Sequence, residues 1–407
     1  MVTLSTECRA QAELRPLTEE DGRIEKAHKV AGLCLLWSIE ARVGLLWSID
    51  DRLALHRRNR QAMGRPGSGI TFAHVWACCH DRSMTDRFTP PRVRAGDIIG
   101  QVDTSVTPRF AAPPTFGLVP DLSSVTSADV AVLGVPFDTG VTYRPGARFG
   151  PSHIRDASRL LRPYGMESQA YPFLSQQVVD IGDIACSPFN ISEALAAIEG
   201  GVRAALDIAP RIIVLGGDHT IALPVLRALH SIHGPISVVH FDAHLDTWDS
   251  YFGQAYHHGT PFRRASEEGL IDREGSVHVG VRGAIYGEED LTNDRVLGFM
   301  AVRCIDIHLD GVTSALERVR ARVQDRPVYV SVDIDVLDPA FAPGTGTPEA
   351  GGLASWQLLH LIRSFRGLNI VGMDVVEVAP AYDHASITAV AASHVAYEML
   401  GAWAPQS

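Results

Sequence analysis

"ISVVHFDAHLDTWD" occupies Ile236–Asp249. It opens as a short apolar, β-branched run, Ile236–Val239, then places three aspartates and two histidines between His240 and Asp249. A near-continuous apolar strand is the mark of burial on both faces, as in a parallel sheet. Open parallel sheets gather their ligands at the carboxyl ends of the strands. The stretch therefore predicts a buried strand that delivers a charged site at its end.

The text outward from it repeats this form. Strand-like runs stand at Asp129–Pro136, Gln176–Asp183, Arg211–Gly217, Ser276–Gly283, Pro327–Asp335 and Leu368–Val378. Helix-like stretches lie at Ser152–Leu161, Ile191–Leu206, Thr220–His233, Thr313–Val323, Leu353–Phe365 and Ser386–Trp403. Alternating strand and helix predicts an α/β fold with helices on both faces of a parallel sheet. No boundary interrupts residues 127–403, which predicts one domain there. Polar residues collect where the strand-like runs end: Gly217–His219, Asp242–Asp246, Arg282, Asp333–Asp335 and Glu377.

In extended backbone, alternate side chains share a face. Asp242, His244 and Asp246 can therefore converge, and so can Asp333 and Asp335. "GGDHT" adds His219, with Asp218 read as the cap of the helix that follows. Four converging aspartates without counter-charge would repel one another, so a cation is required. Six ligands, His219, Asp242, His244, Asp246, Asp333 and Asp335, exceed what one tetrahedral zinc takes. An oxygen-rich set favours a harder ion such as manganese. Two ions sharing carboxylates, roughly 3.5–4 Å apart with a water between them, fit the count. Of His257 and His258, one is a general-acid candidate and the other a surface or packing residue. Glu377 is a carboxylate free to bind a cationic group, with a salt bridge to an arginine as the competing reading.

At these motifs the chain resembles the ureohydrolase (arginase/agmatinase) family, in its agmatinase-like branch. The resemblance is carried by "YRPGARFGPSHIR", "LGGDHT", "HFDAHLDT", "YHHGTPFRR", "SVDIDVLDPAFAPGTGTPEAGGL" and "GMDVVEVAP", and spans roughly residues 104–403. It implies a three-layer αβα arginase-like fold with an eight-stranded parallel sheet, two Mn2+ per subunit (Ni2+ as the other candidate), and trimers or hexamers. It also implies that Asp242 and Asp333 bridge the ions and that Asp246 orients the attacking hydroxide. His258 would be the proton shuttle and Glu377 the grip on a guanidinium. The implied reaction releases urea and a primary amine.

Arginases carry Asn where this chain has Trp248, and "GLRD" where it has "GVRG" (Gly280–Gly283), so arginine is disfavoured as substrate. Agmatine is the expected substrate, with 4-guanidinobutyrate and proclavaminate-type guanidino acids as the alternative. Tyr143, Arg144 and Arg148 are candidates to meet a carboxylate but read as structural. A one-zinc deacetylase-like centre would not need His219, Asp246 and Asp335 as further ligands. A formimino-hydrolase would use the same metals, and a metal-stabilised scaffold would lack His258 or Glu377.

The 407 residues are 46% hydrophobic and carry a net charge of -11. That balance disfavours nucleic acid and anionic membranes as partners, since both call for basic patches. Six cysteines without a CxxC pair predict free thiols and a cytoplasmic protein. The most hydrophobic early stretch, from Ala31 to Asp50, is broken by Glu40 and Arg42 and is too short to span a bilayer. Residues 1–83 repeat "LLWSIE" as "LLWSID" and match no regular pattern. They are read as an atypical extension, disordered or helical, ahead of a catalytic domain at 84–407; translation from an upstream start is the rival origin.

Overall fold

The computed structural model describes residues 97–405. The 1–83 extension and its boundary lie outside them. Strands and helices alternate without exception along these residues. In order they are β1 (Val130–Gly134), α1 (Gly150–Ser158), β2 (Val178–Asp183), α2 (Ile191–Leu206), β3 (Arg211–Leu215), α3 (Ala222–His233), β4 (Ser237–Phe241) and α4 (Pro261–Glu267). There follow β5 (Val277–Val279), α5 (Glu288–Leu297), β6 (Met300–Val302), α6 (Cys304–Val323), β7 (Val328–Asp333), α7 (Ser355–Arg363), β8 (Ile370–Val376) and α8 (Ile387–Trp403).

The eight strands form one sheet in the order β2-β1-β3-β8-β7-β4-β5-β6, parallel throughout. Side chains alternate between its two faces. One face packs Val132, Ile213, Val239, Val330 and Met373 with Ile154 of α1, Val319 of α6, Leu358 of α7 and Val395 of α8. The other packs Ala131, Val214, Val238 and Tyr329 with Ile198 of α2, Leu226 of α3, Phe262 of α4 and Leu297 of α5. The result is the three-layer αβα arrangement expected. Connections that run towards β6 carry α2 to α5 on one face. Those that run the other way carry α1, α6 and α7 on the opposite face, as uniform crossover handedness requires.

The expected runs correspond to seven of the eight strands. The eighth, β6, has three residues at the sheet edge, too short to leave a pattern. Helices α4 and α5 also fall outside the expected stretches: α4 has only seven residues, and α5, EEDLTNDRVL, is mostly polar and buries only Asp294 and Leu297. Helix α6 starts nine residues before the expected Thr313, and Gly311 breaks it at φ 87°.

Register sets the level of the site. Leu215, Val375, Val332 and Phe241 form one row across β3, β8, β7 and β4. One residue further on, Asp333 and Asp242 stand side by side. The β2 edge is tied to α1 by Arg155, which donates to both oxygens of Asp180 at 2.8 and 2.9 Å. Both residues are buried. Losing one partner of a buried pair leaves an uncompensated charge. Arg155→Met should therefore cost about 3–5 kcal/mol in chemical denaturation; a change within about 0.5 kcal/mol, the size typical of surface substitutions, would contradict this role.

Candidate metal centre

The four central strands each supply part of the site. After β3, Gly217 brings the chain against the β1–α1 loop; a Cβ there would lie 1.8 Å from the Phe137 carbonyl oxygen. Asp218 then accepts from the Thr220 amide and caps the turn, as expected. With Glu377 near it, burial lifts the Asp218 carboxyl to about 7. His219 follows, fully buried.

The surroundings of His219 test whether a cation fits. Ser331 donates to Asp374 at 2.8 Å, so the 2.8 Å contact between His219 Nε2 and Ser331 Oγ has the imidazole as donor. Its Nδ1 has no hydrogen-bond partner among the described residues. That nitrogen instead faces Asp246 at 3.0 Å, Asp242 at 3.2 Å and Asp333 at 3.4 Å. A lone pair ringed by three buried carboxylates is a cation site. Burial would lower His219, but the three carboxylates hold it well above the ordinary histidine range.

A second cluster adjoins the first. His244 Nδ1 lies 3.2 Å from both Asp242 and Asp335, and against the effect of burial they hold it well above its ordinary value. Asp242 belongs to both clusters, its Oδ2 towards His219 and its Oδ1 towards His244. Burial works to raise Asp242, yet His240, His219 and His244 keep it well below the usual carboxylate range. The other three carboxyls go up. Burial and Asp242 raise Asp246 and bring Asp335 to about 6. Burial, Asp335 and Asp242 lift Asp333 well above its ordinary value. Asp333 Oδ1 also accepts from the Asp335 amide at 2.8 Å. Two groups could hold a metal ion: one includes His219, Asp242 and Asp246, the other is Asp242, His244 and Asp335; Asp333 stands beside the first, 3.4 Å from His219.

His240 also lies within ligand distance of the first cluster. Its nitrogens are taken, however: Nε2 meets Asp242 at 2.8 Å and Nδ1 meets His278 at 2.7 Å. Burial pushes it down to about 3. A neutral ring donating to a carboxylate is a support for a ligand rather than a ligand itself.

Glu377 and His258 form the adjoining pair. His258 Nδ1 lies 2.9 Å from Glu377 Oε1, which also accepts from the His219 amide at 2.9 Å. No arginine among the described residues pairs with Glu377, which speaks against the competing reading. Glu377 Oε2 is buried with no hydrogen-bond partner among the described residues. Burial opposes protonation of His258, but Glu377 raises it to about 9. Its Nε2 faces the Thr142 hydroxyl at 2.7 Å. His257, by contrast, is buried packing, pushed down to about 4 by burial and by His258. Asp246 and Glu377 both have positive φ, 54° and 63°. Such backbone strain clusters at functional sites.

A cleft of ≈ 130 Å³ opens onto His244, Asp246, Asp333 and His258. Its outer wall is Thr142, Trp248, Tyr251, Tyr286 and Thr347, with Trp248 and Tyr286 rings 5.3 Å apart. Arg148 instead pairs with Asp138, and Arg144 stands over Tyr143 and Tyr382. Arg282 supports the site from behind, donating to the carbonyls of Asp335 and Glu349 at 2.7 Å each.

The sequence model of the Arginase family matches residues 128–401. The chain belongs to the Arginase family. It is an agmatinase-like ureohydrolase, a hydrolase of the carbon–nitrogen bonds of linear amidines. It is 41% identical over 333 residues to putative agmatinase 1 of Schizosaccharomyces pombe, covering 74% of this chain and 84% of that one. Over 296 residues it is 44% identical to the guanidinobutyrase of Pseudomonas aeruginosa, covering 72% and 93%. Among solved structures, proclavaminate amidinohydrolase from Streptomyces clavuligerus superposes with a TM-score of 0.71 at 42% identity, covering 74% of this chain and all of that one.

Glu377 holds His258 at about 9 in the metal-free protein, above the ordinary 6.5. A raised folded value means stability that is fully present below about pH 6.5 and lost as pH climbs through about 9. The gap in unfolding midpoint between the metal-free protein and its His258→Asn variant should be widest at or below pH 6.5 and close towards pH 9. A gap constant over that range would contradict the pairing.

Proposed function

We propose that the protein hydrolyses agmatine to urea and putrescine at a centre of two Mn2+ ions held by His219, Asp242, His244, Asp246, Asp333 and Asp335. The observation that carries the reading is the buried, unpartnered Oε2 of Glu377 beside two metal-binding clusters. A guanidinium is a planar donor that satisfies such an acceptor. Paired divalent ions supply a hydroxide at neutral pH by lowering the pKa of a shared water. Asp242, which faces both His219 and His244, and Asp333 would be the carboxylates shared between the ions. Asp246 would accept from that water and aim it at the carbon of a guanidinium that Glu377 would hold. His258, which Glu377 holds above the ordinary histidine range, would give a proton to the departing amine nitrogen.

The tail of the substrate is read from the cleft wall. No arginine or lysine is among the described residues lining it, and Trp248, Tyr251 and Tyr286 offer aromatic faces. Such faces attract an alkylammonium group, which supports agmatine over a guanidino acid. The second reading, a guanidino acid such as 4-guanidinobutyrate, is favoured by the 44% identity to guanidinobutyrase. We further infer a trimer or hexamer in the cytoplasm. Free Cys186 and Cys304 fit a reducing compartment, and no helix of the described residues is long and apolar enough to cross a membrane.

Urea release from agmatine, 4-guanidinobutyrate, 3-guanidinopropionate and arginine by the manganese-loaded protein tests the reading. Agmatine should give the highest kcat/KM. Faster turnover of a guanidino acid would move the protein to the second reading, and no urea from any would end both. Asp242→Ala should lose metal and activity together. Glu377→Gln should keep its metal and lose roughly 10–100-fold in kcat/KM, the loss of a charge-assisted hydrogen bond; loss of metal from Glu377→Gln would contradict its role as a substrate grip.

A further inference from the structure

One buried polar chain lies outside the roles assigned so far. It starts at Asp242 and leaves the centre through the sheet. His240 on β4 meets Asp242 at 2.8 Å, His278 on β5 meets His240 at 2.7 Å, and Asp294 on α5 meets His278 at 2.9 Å. All four residues are at most 2% exposed. The rings of His240 and His278 face each other because β4 and β5 pair them in register. Phe299 stacks on His278 at 4.1 Å and Phe262 packs on His240 at 4.3 Å. These aromatic walls fix both ring planes.

The same Asp294 oxygen has a second partner. Thr247 donates to Asp294 Oδ1 at 3.0 Å. Thr247 directly follows Asp246, whose φ of 54° needs the surrounding structure to hold it. One carboxylate on α5 is therefore joined to two residues of the centre: Asp242 through two imidazoles, and Asp246 through the neighbouring hydroxyl. Residues that orient a ligand are themselves part of a metal site, and losing one typically costs 10–100-fold in affinity.

We propose that Asp294 is a positioning residue for the metal centre, acting on Asp242 through His278 and His240 and on Asp246 through Thr247. This rests on the reading of the two clusters as a metal site. It does not depend on which substrate is cleaved. A carboxylate on a short polar helix at the sheet edge thus sets how firmly two of the ligands are held.

The test is manganese titration of the metal-stripped full chain, followed by the signal of free Mn2+, together with chemical unfolding of the metal-free protein. Asp294→Asn keeps the shape and removes the charge. It should weaken manganese binding by about 10–100-fold. Thr247→Val removes only the branch to the Asp246 loop and should weaken binding by less, about threefold or more. Manganese affinity within about twofold of the wild type in both variants would overturn the proposal, even if unfolding shifted, because a purely packing role moves stability alone. If Asp294→Asn fails to fold, the Thr247→Val titration decides the matter by the same limits. A wild-type protein that takes up no divalent ion overturns both the metal site and this proposal. A wild type that binds manganese but releases no urea from any guanidino compound overturns the proposed function, and the variant affinities still decide this one.

Discussion

Buried negative charge without a fixed positive partner is the constraint on which this molecule is built. Asp242, Asp246, Asp333 and Asp335 are packed around two histidines, and no arginine among the described residues pairs with any of them. Removing an isolated carboxylate from water is costly enough that groups normally neutralise instead. Here burial raises Asp246, Asp333 and Asp335, while the carboxylates hold His219 and His244 well above the ordinary histidine range. The arrangement is that of a site waiting for divalent ions.

The fold serves this constraint through strand order. β3, β8, β7 and β4 are sheet neighbours, although β8 comes last of the strands along the chain. Their carboxyl ends bring His219, Glu377, Asp333 and Asp242 together. Apolar packing on both faces holds the strand ends in register, and Arg282 ties down the loop after Asp335 by its carbonyls. Two carboxylates of the candidate site, Asp246 and Glu377, sit in backbone conformations that L-residues seldom adopt. Rigid surroundings hold them there, so the strain is affordable only because the neighbouring strands are so fully packed.

The centre was legible in the sequence because its residues are local. Asp242, His244 and Asp246 recur at alternate positions of one short stretch, and Asp333 with Asp335 does the same. Glu377 was legible only as a charge at a strand end; its partners, His258 and the His219 amide, depend on tertiary contacts that no spacing reveals. The chain from His240 to Asp294 was missed for the same reason. His278 reads as one polar residue within an apolar strand, and Asp294 as one acid among several on a polar helix. Only the β4–β5 register and the packing of α5 make them neighbours. The short edge strand β6 left no signal because three residues cannot display a period.

The most direct measurement is calorimetric titration of the metal-free protein with Mn2+ near pH 7, repeated in buffers of different ionisation enthalpy. Metal ligands must give up their protons to bind. The account predicts two ions per chain, with protons released as His219 and His244 lose the ones that the carboxylates hold on them. Binding of one ion or none, or uptake of two without proton release, would contradict it.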